Sequence, residues 1–129
     1  MNCNGNCKIC DNIVISSSVS VITIAGVDTL VIDLPNATYL NNNKYCVVVA
    51  QAIPDTATIN MPVVFSIGGV TTTVYPFINC NCTQVTATGV RTRTRYPVCV
   101  YTTTSSGVFR SLRPLCCYPT DNLVSLPIV

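Results

Sequence analysis

The sequence predicts an all-β domain, a sandwich of jelly-roll-like topology with an extended N-terminal arm. Three observations carry that prediction. Valine, isoleucine and threonine dominate the apolar and polar inventories, and β-branched residues favour pleated, packed surfaces over helices. Turn signals recur every eight to twelve residues along the 129-residue chain, the spacing of sandwiches and barrels. No window of fifteen residues shows a helical period.

The elements follow in order. Residues 1–12 form a polar, cysteine-bearing arm with no apolar face of its own, so only a bond, a metal or a partner would order it. The domain proper spans 13–122, and 123–129 (LVSLPIV) is an apolar tail whose Pro127 argues against a central strand. Strands are expected at 13–15 and 19–24, then at 27–34, where Leu30, Ile32 and Leu34 share one face. The run 45–50 (YCVVVA) reads as a central strand buried on both faces. A short strand is expected around 57–59. Residues 63–67 and 70–75 flank Gly68-Gly69, the clearest hairpin in the chain, closed by Pro76. Further strands are expected at 83–88, at 90–96 by strict alternation, at 98–103 after an interruption by Pro97, and at 108–112. The count is nine or ten short strands; their order in space is not encoded in local pattern.

Composition narrows function. Only 9% of residues are charged, against about a quarter in typical soluble domains. A free monomer ordinarily keeps a charged surface, so the pattern points to a surface that meets other protein. The net charge of +2 is too small to indicate nucleic-acid binding. No apolar run approaches the length of a membrane helix. The N-terminus shows no apolar stretch of the signal-peptide kind, which leaves export by another route open. Asn36-Ala37-Thr38 matches a glycosylation acceptor, a weak signal at three residues. Catalysis is disfavoured. There is no histidine and no glutamate, and the five aspartates (Asp11, Asp28, Asp33, Asp55, Asp121) show no paired spacing.

Nine cysteines is an odd count, so at least one is free, reaches another molecule or binds metal. Cys7 and Cys10 have the two-residue spacing of zinc knuckles. The other half of such a site would have to come from Cys80 and Cys82, or from Cys116 and Cys117, and neither pair has knuckle spacing. The alternative is a set of disulfides drawn from Cys3, Cys7, Cys10, Cys80, Cys82, Cys116 and Cys117, which would order the arm or lock subunits together in an oxidising setting. No cofactor other than such a structural zinc is indicated. Cys46 and Cys99, inside apolar strands, read as inert buried thiols.

Arg91, Arg93 and Arg95 alternate with threonines, which on a strand places three guanidiniums on one face, with Arg110 and Arg113 on a strand nearby. Such a stripe is solvated, or it is matched by a partner's acidic strip, carbonyl rim or phosphates. No stacking stripe of aromatics accompanies it, so nucleic acid is the weaker option.

Several stretches resemble the small cysteine-rich β proteins among virion structural proteins of tailed bacteriophages: Cys7-Lys8-Ile9-Cys10, 45–54 (YCVVVAQAIP), 59–68 (INMPVVFSIG), 91–97 and 109–117. The resemblance implies a capsid-associated auxiliary or decoration subunit on the virion surface. Its partners would be copies of itself and other capsid proteins, with Arg91, Arg93, Arg95, Arg110 and Arg113 as contact residues, and no membrane. Two rival classes remain: a secreted or surface β-sandwich binding module stapled by disulfides, and a metal-bearing nucleic-acid adaptor.

Overall fold

The structure, a computed structural model, describes residues 12–102 and 106–115. Eight strands form within them: β1 (Ile13–Ile15), β2 (Ser18–Ile24), β3 (Val27–Leu34), β4 (Lys44–Val49), β5 (Val63–Ile67), β6 (Val70–Ile78), β7 (Thr94–Thr102) and β8 (Gly107–Ser111). They make one sheet in the order β1-β4-β7-β8-β6-β5-β3-β2. The β1–β4, β3–β5 and β6–β8 pairs are parallel and the rest antiparallel. The fold is therefore all-β, a curled half-barrel sheet.

The curl is imposed by connectivity. β1 and β2 are the two edges of the sheet, yet only Ser16 and Ser17 separate them in sequence. The Ser16 N–H donates to the Val48 carbonyl of β4 (2.9 Å), and the Ser17 N–H donates to the Asp33 carbonyl of β3 (2.7 Å). One residue thus belongs to each side, and the edges meet there. Ser16 is almost fully buried (3% exposed). Its hydroxyl donates to Gln51 Oε1 and accepts the Ala50 N–H (2.9 Å), while Gln51 Nε2 donates to the Ser16 carbonyl (2.8 Å). The N–H, hydroxyl and carbonyl of buried Ser16 all have partners, as burial requires.

β6 makes the opposite corner. Its middle pairs with β5 (Phe65↔Tyr75, Val64↔Pro76) and its end with β8 (Phe77↔Phe109, Ile78↔Arg110). Pro76, expected to close the hairpin, lies inside this strand instead, at the step where β6 changes neighbours. Pro97 likewise does not interrupt β7. The Pro97 carbonyl accepts from Leu112 N–H, just beyond the end of β8. Backbone N–H and C=O of one residue point to the same side in an antiparallel ladder, so the missing proline donor faces the place where β8 has already ended.

The alternation read from the sequence fills the inside of the curl. Leu30, Ile32 and Leu34 of β3, Val47 and Val49 of β4, Val63 and Phe65 of β5, Phe77 of β6, Val98 and Val100 of β7 and Phe109 of β8 form one buried cluster. All three phenylalanines of the chain meet there, with ring centroids 4.9 Å apart for Phe65–Phe77 and 4.8 Å for Phe65–Phe109.

Three expected strands do not form as such. Residues 57–59 have no ladder. Residues 83–88 make only two isolated bridges, Ile78↔Gln84 and Pro62↔Thr86, and then a 3-10 turn at Ala87–Gly89. This segment caps one end of the core. Val85, Ala87 and Val90 are buried, and Gln84 Nε2 donates to the carbonyls of Val63, Phe77 and Val85 (2.8–3.0 Å). The third, 90–96, is a turn followed by the start of β7 at Thr94. Asn12, assigned to the arm, is instead tied to the sheet: its carbonyl accepts the Cys46 N–H (2.7 Å) and its side chain donates to the Lys44 carbonyl (2.9 Å). The rest of the arm (1–11) and the tail (123–129) lie outside the described residues.

The hairpin at Gly68-Gly69 forms as expected, with both residues at positive φ (62° and 79°) between Ile67 and Val70. A second tight hairpin joins β2 to β3, where Ala25 (φ 51°) and Gly26 (φ 79°) sit between paired Ile24 and Val27. Both two-residue turns have the type I′ signature, which favours Asn-Gly.

Two changes test this description by urea unfolding. Ala25→Asn should raise stability by about 0.5–1 kcal/mol, because a left-handed conformation costs an ordinary L-residue about 1–2 kcal/mol and Asn tolerates it. Ser16→Ala should lower stability by about 1–3 kcal/mol, since it strands the Ala50 N–H in a buried corner; an unchanged midpoint would mean the corner is not closed as described.

Candidate interaction surface

Arg91, Arg93 and Arg95, the three arginines singled out by spacing, do not share one strand face. Arg91 and Arg93 lie in the turn before β7, and Arg93 takes a left-handed conformation (φ 59°) with its N–H donating to the Val49 carbonyl (2.6 Å). A residue at positive φ breaks the extended repeat, so the period of two in the sequence does not become a period of two in space. Arg95 does lie on β7 and is exposed. Arg110, on β8, donates from its guanidinium to the Cys80 carbonyl and so holds the loop after β6.

What the fold does bring together is Arg91, Arg95 and Arg113. Arg113 Nη2 donates to the Arg95 carbonyl (2.7 Å), and the Arg91 N–H donates to the phenol oxygen of Tyr96 (2.6 Å). Arg91 and Arg113 line the same cavity of about 160 Å³, together with Thr88, Gly89, Thr94 and Tyr96. Tyr96 is 2% exposed. Burial pushes its pKa above the usual 10.0, against the lowering effect of the Arg91 N–H and nearby guanidiniums, so the phenol is protonated at neutral pH. Sequence reading did not select Tyr96, which looks like one more apolar residue of β7.

The cysteines divide into bonded and free. Cys46 and Cys80 are disulfide-bonded, whereas Cys82 (exposed) and Cys99 (buried) are free thiols. Cys46 had been expected to be an inert thiol. Val47 and Val49 face the core, so Cys46 points to the outer side of β4, where its sulfur is available for bonding. Cys99 keeps the expected character of a small buried hydrophobe. A disulfide removes the Cys80 thiolate as a metal donor, and among the described residues no three His, Cys, Asp or Glu side chains gather as a metal site. Cys3, Cys7, Cys10, Cys116 and Cys117 lie outside the described residues.

A third feature was not foreseen. β1 is an edge strand, and Ile13 and Ile15 project outward from it, each 55% exposed, while Val14 packs against the core. Beside them runs a groove of about 590 Å³ between β1 and residues 35–39, floored by Tyr39 and Tyr45. The two rings pack edge-to-face at 5.3 Å, the Tyr39 hydroxyl donates to the Pro35 carbonyl (2.8 Å), and the Tyr45 oxygen accepts the Leu40 N–H (2.9 Å). Leu40 itself is 53% exposed. No helix among the described residues is long and apolar enough to cross a membrane.

Comparison with known proteins gives no match: no protein-family model, no curated protein and no solved structure matches the chain.

Alkylation of the folded protein, read residue by residue by mass spectrometry, should sort the described thiols. Cys82 should react at once, Cys99 only after unfolding, and Cys46 and Cys80 only after reduction. Modification of Cys46 or Cys80 without reductant would show those bonds to be absent.

Proposed function

We propose that this chain is a structural subunit of a virion, a capsid-associated auxiliary or decoration protein that acts through protein–protein contacts and carries out no chemistry. In this reading the curled sheet is a jelly-roll-like sandwich, and its contacts are made with further copies of the chain and with shell proteins. The observation that carries the proposal is the β1 edge. Ile13 and Ile15 stand more than half exposed on a strand with one neighbour among the described residues, next to a groove of about 590 Å³. An edge strand with outward apolar side chains is a template for pairing with another chain, and natural monomers blunt such edges with charge or proline. This strand has neither, on a chain with only 9% charged residues. The occupant that fits is an extended apolar strand from a second copy, since β1 of one copy offers the same open edge as β1 of another.

A second reading is a secreted or surface module stapled by disulfides. The oxidised state of Cys46 and Cys80 favours it, because such bonds persist outside reducing compartments. A released particle also meets that condition, so the bonds fit both readings, and the β1 edge supports the first.

Sedimentation of the native protein should show an oligomer. The double substitution Ile13→Lys and Ile15→Lys should convert it to monomer with unchanged circular dichroism, because both side chains are mostly in solvent and their loss removes no core contact. A wild-type protein that sediments as a monomer would overturn the proposal in favour of the secreted module.

A further inference from the structure

We propose that the groove beside β1 receives residues 123–129 (LVSLPIV) of a second copy, added to β1 as an edge strand. The inference rests on the assembly reading above and names the strand that the second copy supplies. In the parallel ladder between β1 and β4, the Cys46 N–H donates to the Asn12 carbonyl and the Ser16 N–H to the Val48 carbonyl. N–H and C=O of one residue point to the same side of a strand. Asn12, Val14 and Ser16 therefore face β4, and Ile13 and Ile15 turn both backbone groups to the open side, where no described strand pairs with them. The far wall of the groove, residues 35–39, is held by the Tyr39 hydroxyl donating to the Pro35 carbonyl (2.8 Å). No residue lining the space between is charged. An edge of this kind takes an extended segment through main-chain hydrogen bonds and reads its alternate side chains.

The chemistry of the chain selects the occupant. Outside the described residues, 1–11 carries Lys8 and Asp11 among asparagines, 103–105 is polar, and 116–122 carries Asp121; only 123–129 is apolar and uncharged. Residues 116–122 link it to Leu115 and extend to about 23 Å, at roughly 3.3 Å each, enough to reach a neighbour. The groove has a wall on either side, so it suits a single strand, whereas β1 of a second copy brings β4 along beside it. Pro127 fits the same pairing. With the tail antiparallel to β1, Ile15 lies opposite Leu126 and Ile13 opposite Ile128, and each pair exchanges both of its backbone hydrogen bonds. Pro127 then lies opposite Val14 with its missing donor on the outer side, where edge strands tolerate proline. Side chains directly opposite share a face. Leu126 and Ile128 therefore cover Ile13 and Ile15, each 55% exposed, and the Pro127 ring comes to the face of Val14 and Tyr45, which pack against the core.

The test is sedimentation of the full-length oxidised protein carrying a swap that preserves composition, Leu126→Pro with Pro127→Leu. The swap keeps the tail apolar and uncharged but turns the missing donor onto the Ile15 carbonyl. Association should weaken at least about tenfold, the effect of one acceptor left unpaired at a covered edge, with circular dichroism unchanged. Should the swap disturb folding, truncation after Asn122 makes the same comparison. The swapped protein keeps its groove, and the variant with Ile13→Lys and Ile15→Lys keeps its tail. Mixing the two should restore association between unlike copies. Undiminished association of the swapped and truncated proteins, with the lysine variant monomeric, would overturn the tail and leave the assembly reading standing on another strand. Weakened association in both variants with no recovery on mixing would overturn the exchange between copies. A monomeric wild type would remove the assembly reading itself, and this inference with it.

Discussion

Two residues hold the architecture to its shape. If the eight strands lay flat, β1 and β2 would stand about 34 Å apart, seven spacings of about 4.8 Å. Ser16 and Ser17 are all the chain that joins them, and two residues reach no more than about 7 Å beyond the strand ends. The sheet therefore has to bend until the end of β1 meets the start of β2. The inward alternation of β3, β4, β5 and β7 then becomes a core and the other faces become surface. The buried hydroxyl of Ser16, with Gln51 and Ala50 as partners, lets polar backbone pass through this corner without an unsatisfied group. On the far side, β6 makes the opposite corner by changing neighbours at Pro76.

Much of the strand layout was legible in the sequence, because β-branched runs and Gly68-Gly69 act locally. The short 13–15 strand, the long 27–34 strand and the 45–50 run all lie close to where the structure has them. What misled was punctuation. Pro97 and Pro76 look like stops, yet Pro97 sits where its missing donor faces the end of β8, and Pro76 sits at the step where β6 changes neighbours. The stretch 83–88 has strand composition, but its glutamine side chain takes over backbone carbonyls at the end of the sheet and the chain coils into a cap.

The candidate surfaces were legible only in part. The arginines were visible as a cluster, but their apparent alternation was lost to one residue, Arg93, whose left-handed conformation follows from its N–H reaching Val49. The cavity shared by Tyr96, Arg91 and Arg113 unites residues from before β7, within it and after β8, a convergence no local pattern encodes. Cys46 was hidden by its apolar neighbours, since a run buried on both faces does not say which face a sulfur takes. The exposed isoleucines of β1 were equally invisible, because an edge is defined by the strand that is absent beside it. The low charge, in contrast, was readable from composition alone, and it is the property that the apolar edge now gives a location.

β8, the last of the described strands in sequence, lies near the middle of the sheet, between β7 and β6. A chain emerging from its N-terminus therefore makes the other seven described strands before it has the one that joins the halves. Until residues 107–111 are synthesised, β7 and β6 each present an open backbone ladder toward the gap. Closure waits for these residues, and the nascent chain is more vulnerable to mispairing than a meander of the same length. Truncation ahead of β8 would remove the strand that pairs with both β7 and β6, leaving the two halves joined only through Ser16 and Ser17.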